Sequence, residues 1–177
     1  MSYTIPYSFK KIEPTDLVRL CRYLEKLGTE TRRRFGPHGF DRNSLENLFI
    51  HQQDFLGYVA TNDENNEIIA YCVLKKGYLE HDSFRFQSYG LTLDHATDCT
   101  FAPSVAEEWQ GRGVGGKLTE FIIGDLKGMG FCRILLWGGV QSDNHQALRY
   151  YEKLGFRKLG QFEYFGMNDD MCLDLIP

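Results

Sequence analysis

Nothing in the sequence spaces its cysteines as a metal site or a disulfide framework would. The five, at 21, 72, 99, 132 and 172, are scattered, odd in number and free of any C-x-x-C pair, so reduced and mostly buried thiols are expected, with no metal. No apolar run reaches the roughly 18 to 20 residues needed to cross a bilayer, and the start, M-S-Y-T-I-P-Y-S, lacks a charged segment followed by an apolar one. A cytoplasmic protein without membrane association is expected. An excess of positive charge is missing too. Twenty Lys and Arg against 24 Asp and Glu leave a formal charge of −4, which argues against a dedicated nucleic-acid binder. No repeat, low-complexity tract or linker interrupts the chain, so a single domain over residues 1–177 is expected. With 42% hydrophobic and 25% charged residues, the composition is that of an ordered globular protein.

What is present reads as alternating strands and helices. Residues Tyr3 to Ile12 alternate like a strand, and E-P-T-D offers Thr15 or Asp16 as a helix cap. Leu17, Leu20, Cys21, Leu24 and Leu27 then recur at helical spacing until Gly28. T-E-T-R-R-R-F-G-P-H-G-F predicts a loop leading to a second helix near Ser44. F-L-G-Y-V-A and E-I-I-A-Y-C-V-L flank N-D-E-N-N at 62–66, the chemistry of a hairpin. Residues 77–97 carry Phe84, Phe86, Tyr89 and Leu91 among polar and turn-forming neighbours, which predicts a partly extended loop. C-T-F-A-P-S-V at 99–105 is a strand in which Pro103 implies an edge, a bulge or a break. R-I-L-L-W-G-G-V at 133–140 suits a short buried strand, S-D-N-H-Q-A-L-R-Y-Y-E-K-L a capped helix ending at Gly155, and Phe156–Leu159 and Met167–Leu175 two closing strands.

Between the strand at 99–105 and a helix marked by Val114, Leu118, Phe121, Ile122 and Leu126 stands the densest glycine cluster, W-Q-G-R-G-V-G-G-K-L at 109–118. Glycines there let successive backbone N–H groups approach an anion, and the helix beyond adds the positive end of its dipole. Three templates fit. Gly111, Gly113 and Gly116 match the dinucleotide fingerprint, but about 20 residues later there is no acid to hold a ribose. Gly111, Gly116 and Lys117 match a nucleotide P-loop except that Leu118 stands where a hydroxyl must bind magnesium. The third template is Q-x-x-G-x-G, from Gln110, Gly113 and Gly115.

Q-G-R-G-V-G, with Val105 five residues before Gln110, resembles the acyl-coenzyme A loop of the GCN5-related N-acetyltransferase (GNAT) superfamily. N-H-Q-A-L-R-Y-Y-E-K-L-G-F is similar to that family's second signature, N-x-x-A-x-x-x-Y-x-x-x-G-F, at Asn144, Ala147, Tyr151, Gly155 and Phe156. The resemblance implies an α/β (α+β) fold: a mixed, mostly antiparallel sheet of six to seven strands flanked by about four helices and splayed between its fourth and fifth strands. It implies an N-acetyltransferase using acetyl-coenzyme A and no metal, with a small-molecule or protein amine as acceptor and direct attack in a ternary complex. Homodimers are common among similar proteins.

By the same resemblance the N–H groups of Gly111, Arg112, Gly113, Val114, Gly115 and Gly116, following Gln110, hold the pyrophosphate, and Val105 offers backbone groups to the pantetheine arm. Asn144 is a cofactor contact or a helix cap, and Ala147 leaves room for the cofactor. Tyr151 protonates the departing thiolate. Some relatives carry a carboxylate base on the fourth strand; Asp98, at its start, is the candidate here, the aligned position falling on Asp98 or Cys99. The N-terminal helices, their loop and residues 77–97 wall the acceptor side, where His38 is a further base candidate and Arg32–Arg34 face an acidic acceptor or simply solvent. Pro103 departs from the pattern: some relatives use the N–H at that place on the acetyl carbonyl, and proline has none. Another N–H, such as that of Val105, must take over, or the register must shift, or the chain is a catalytically weak acyl-coenzyme A binding or sensing module.

Overall fold

A computed structural model describes residues 7–175. The first strand is β1, Tyr7–Lys11; the Tyr3–Pro6 part of the expected strand lies outside the described residues. Two compact units are distinguished, one of Met1–Val73 with Pro103–Ile122 and one of Leu74–Ala102 with Ile123–Pro177.

In the first unit β1 pairs antiparallel with β2, Phe55–Asn62, from Tyr7 opposite Asn62 to Lys11 opposite Tyr58. The hairpin into β3, Ile68–Lys76, turns through Asn66 at φ +60°, where the Asn62 carbonyl accepts the Asn66 N–H at 2.8 Å. Helix α1, Leu17–Lys26, buries Leu17, Leu20, Tyr23 and Leu24. Its entry is fixed by Asp16, whose carboxylate accepts the Glu13 N–H and pairs with Lys10 at 2.8 Å. The segment expected to be a loop contains a short helix, α2, Thr29–Arg34, with no buried residue. Glu30 holds Arg33 at 3.0 Å and Arg34 at 3.6 Å across one turn, so ion pairs rather than an apolar stripe support it. Helix α3, Arg42–Glu46, lies where the helix near Ser44 was expected, capped by Asp41 on the Ser44 N–H at 3.0 Å.

In the second unit residues 77–97 hold a helix, α4, Glu80–Ser88, where a partly extended loop is the sequence expectation. Its inward positions are Asp82, Arg85, Phe86 and, just past its end, Tyr89, a helical spacing in which two of four members are charged. Phe84, 82% exposed, points away. A hydrophobic period therefore does not exist to be read. Phe86 packs with Leu135 and Cys172, ringed by Tyr78, Tyr89, Leu91, Leu93 and Leu159.

The expected strand near 99–105 is β4, Asp98–Val105, unbroken through Pro103. The glycine cluster leads to α5, Val114–Gly128, and then β5, Arg133–Leu136, returns parallel to β4 with Asp98 opposite Arg133 and Phe101 opposite Leu136. The run expected to be one strand over 133–140 is two, because Gly138 and Gly139 take φ +67° and +68° and turn the chain before β6, Val140–Gln141. A Cβ on Gly139 would stand 2.8 Å from the Asp169 carbonyl, so the turn requires glycine. Helix α6, His145–Lys153, then precedes β7, Arg157–Glu163, and β8, Met167–Asp174. Along the hydrogen-bonded path the strands run β1-β2-β3-β4-β5-β8-β6, with β7 also on β8. Among the described residues this is a mixed, mostly antiparallel sheet of eight strands with six α-helices; β6, α2 and α4 are the elements beyond the expected number. Among the described residues no helix is long and apolar enough to cross a membrane.

Candidate active site

The pairing of β4 with β5 ends early. Its last bond runs from the Trp137 N–H to the Phe101 carbonyl at 3.0 Å, while β4 continues to Val105. Amide groups alternate sides along a strand. Phe101 faces β5, and Asp98 and Ala106 face β3 through Gly77 at 2.8 Å and Ile69 at 3.0 Å. Residues 103 and 105 therefore present their backbone groups on the side that β5 has left. Pro103 removes no ladder bond there, since the ladder has already stopped, and the Val105 N–H is the next donor on that side. The Val105 carbonyl is taken by the Gln110 side-chain amide at 3.0 Å.

Glu107–Trp109 form a single 3₁₀ turn after β4. Gly111 at φ +73° and Gly113 at φ +81° then bring the backbone into α5. Both angles lie in the left-handed region that side-chain-bearing residues avoid. Among the described residues no hydrogen bond uses the N–H of Gly111, Arg112, Gly113, Val114 or Gly116. A Cβ added at Gly111, Gly113 or Gly116 would meet nothing within 4 Å. No acidic side chain occupies the first turn of α5. A row of uncommitted donors at a helix N-terminus, beside open space, has the chemistry a phosphate group needs. Arg112 is exposed, its guanidinium 5.5 Å from the Trp109 ring centre, and Lys117 stands 5.5 Å over Tyr7.

The other expected cofactor residues lie on α6, in the second unit. Asn144 is a helix cap: its side-chain oxygen accepts the Ala147 N–H at 3.2 Å. Ala147 is half-buried and Tyr151 is buried, its ring edge-on to Phe156 at 5.3 Å and to Tyr150 at 5.0 Å. Positions 144, 147 and 151 share one face of the helix. Val105 and Gln110–Gly116 are thus brought together in the first unit, and Asn144, Ala147 and Tyr151 in the second.

Asp98 sits at the opposite end of β4 from Val105, buried, accepting the Asp94 N–H at 2.8 Å and lying 3.6 Å from Arg133. Burial raises its carboxyl pKa, with the Asp94 N–H and Arg133 working the other way. His38 stands 2.7 Å from the Gly39 carbonyl through Nδ1 and 2.8 Å from the Tyr71 hydroxyl through Nε2. A carbonyl can only accept, so Nδ1 carries the proton and Nε2 receives the tyrosine O–H. Burial lowers the His38 pKa and keeps the ring neutral. Its basic nitrogen is therefore occupied. Arg32 lies 5.2 Å over Phe40. Among the described residues no group of three or more His, Cys, Asp or Glu is arranged to hold a metal ion.

One contact has no signal in local sequence: Glu107 Oε1 accepts the N–H of Gly28, 79 residues away, at 2.9 Å.

The family model for the acetyltransferase (GNAT) family matches residues 21–156, which contain the glycine loop and the α6 signature. The chain belongs to the GNAT acetyltransferase family. Among curated relatives of this GNAT chain is the L-methionine sulfoximine/L-methionine sulfone acetyltransferase of Salmonella typhimurium, 26% identical over 124 residues. That match covers 70% of this chain and 64% of the relative, so less than two thirds of that protein is represented. Of solved structures, the GNAT domain of S. lividans PAT superposes with a TM-score of 0.73 at 21% identity, covering 94% of this chain and 89% of that one. The aminoglycoside acetyltransferase AAC(6')-Ib in complex with coenzyme A gives 0.69 at 19% identity, covering 96% and 95%. Both structural likenesses concern the fold.

Proposed function

We propose that this GNAT protein transfers an acetyl group from acetyl-coenzyme A to a primary amine by direct attack within a ternary complex. The observation that carries the reading is the row of N–H groups from Gly111 to Gly116, Gly115 aside, that make no hydrogen bond within the protein, at the start of α5. These groups suit the pyrophosphate, and the dipole of α5 adds to them. Bound acetyl-coenzyme A supplies the thioester to be attacked. The Val105 N–H is the donor left on the open side of β4 to polarise a carbonyl, in the place of the one Pro103 lacks. Ala147 keeps its face of α6 low, and the Tyr151 hydroxyl gives a proton to the departing sulfur. A binding module without catalysis drew its support from Pro103; a usable N–H two residues on weakens that ground. The aminoglycoside enzyme binds coenzyme A on the same fold, and an amine-bearing small molecule or protein is the acceptor class proposed here.

Thermal shift and titration calorimetry with acetyl-coenzyme A test the reading directly, since a ligand that binds only the native state raises its melting point. Gly113→Ala is the matching variant. At φ +81° a side chain costs about 1–2 kcal/mol, so the loop relaxes away from its amide array. Coenzyme A affinity is expected to fall about tenfold, consistent with that cost. Unchanged affinity would remove the loop from the site.

For Asp98 we propose a structural part: it anchors the 94–98 turn and faces Arg133. Asp98→Asn should leave turnover within about threefold, far from the loss a missing base gives. It also carries a pH signature. A carboxyl whose folded pKa is raised adds stability below the ordinary value of 3.8, and that contribution is lost as pH rises through the folded value. Asp98→Asn should flatten this decline in urea titrations between acid and neutral pH. A turnover loss of about a hundredfold instead would restore Asp98 as the base.

A further inference from the structure

We propose that Glu107 is a positioning residue that couples the cofactor loop to the acceptor-side segment beginning at Gly28. The proposal rests on the acetyl-transfer reading above. Glu107 opens the turn from which the glycine loop departs, and its Oε1 accepts the Gly28 N–H at 2.9 Å, immediately before α2. Gln110, three residues on, reaches the same helix: its side-chain amide lies 3.5 Å from Thr31 Oγ1 and 3.0 Å from the Val105 carbonyl. Two side chains that bracket the turn at 107–110 thus end on Gly28, the N-cap of α2, and on Thr31, three residues on. From α2 the chain passes to Phe35, buried against Tyr71 at 5.9 Å and His38 at 6.0 Å, so the connection continues into the ring cluster of that wall.

The residue at 28 bears on the same contact. Its φ of −66° and ψ of 162° are open to any residue, so the backbone does not call for glycine there. The space does. A Cβ at 28 would stand 2.7 Å from Glu107 Oε1 and 3.0 Å from its Cδ. Glycine is what lets the carboxylate come close. Glu107 is itself exposed and seals no core, so the bond has little to do with packing and much to do with the relative placement of loop and helix. Seating a pyrophosphate on the loop fixes the turn at 107–110, and through these bonds orders residues 28–35. By linkage, an acceptor that orders 28–35 tightens the cofactor by the same factor.

Hydrogen exchange of the full chain, with and without coenzyme A, tests this. In the wild type, coenzyme A should slow exchange across 28–35 by about fivefold, the worth of roughly one hydrogen bond. Glu107→Ala should lose that slowing while still binding coenzyme A by calorimetry, weaker by no more than the same factor of about five. Glu107→Gln, whose amide oxygen still accepts an N–H, should keep it, which a purely charge-based role would not allow. Gly28→Ala should behave like Glu107→Ala, and the two together no worse than either alone. Equal slowing at 28–35 in Glu107→Ala, or none in a wild type that binds coenzyme A, overturns the coupling. A wild type that does not bind coenzyme A at all overturns the acetyl-transfer reading first and the coupling with it.

Discussion

Tyr151→Phe is expected to lower turnover by about 10²- to 10⁴-fold, the range that a general acid contributes, while coenzyme A affinity stays within about threefold of wild type. The substitution deletes one oxygen. Its ring contacts with Phe156 and Tyr150 are made by carbon and remain, and urea unfolding of the variant checks separately that the fold is kept. Loss confined to kcat means that the hydroxyl acts in the transition state alone. Steady-state rates with a panel of amines, beside calorimetric Kd values for coenzyme A, separate the terms. Turnover near wild type, or equal losses in rate and affinity, would show that the hydroxyl is not the acid.

Arg85→Ala should cost about 3–5 kcal/mol of stability, because it strands a fully buried carboxylate. Arg85 grips Asp170 through Nε and Nη2, reaches Asp82 through Nη1 at 3.0 Å, and lies 3.6 Å over the Phe162 ring. Asp170 has no exposed surface, and Tyr89 gives it a further hydrogen bond at 3.0 Å. Burial, together with that carboxylate, pushes the Tyr89 hydroxyl up to about 12, so it remains a donor throughout the working pH range. Asp82 holds an oxygen with no partner even in the intact protein, which leaves no spare donor to compensate. Urea unfolding should register the loss, with a melting point lower by about 10 °C or more. Adding Asp170→Asn to Arg85→Ala should recover part of it, since a neutral amide is cheaper to bury than a lone charge. A single variant within about 1 kcal/mol of wild type would mean that the cluster is far wetter than its burial implies.

The elements with an apolar period were legible in sequence: α1 through its leucines, the β2–β3 hairpin through N-D-E-N-N, α5 and the α6 signature. So was the glycine-rich turn into α5, because the reason glycine stands at 111 and 113 is local, a backbone angle. Three things were not. Helix α4 hides its inward face in Asp82 and Arg85, residues that a hydrophobicity pattern scores as outward. Helix α2 has no inward face, only Glu30 against two arginines. The role of Gly28 depends on a carboxylate 79 positions on, and short-range patterns carry no such information. Asn144 is a fourth: cap and ligand contact call for the same residue at the same place, and the folded chain has its oxygen on the Ala147 N–H.

Proline at 103 has a consequence for self-association. The upper part of β4 is an edge within a sheet, and bare edges recruit strands, from a neighbour or from another copy of the chain. A strand trying to zip onward past Phe101 would find an amide hydrogen covalently absent at the second step, and the double glycine after Trp137 already steers the natural candidate elsewhere. A strand added to that edge therefore lacks a donor at residue 103 by chemistry built into the chain.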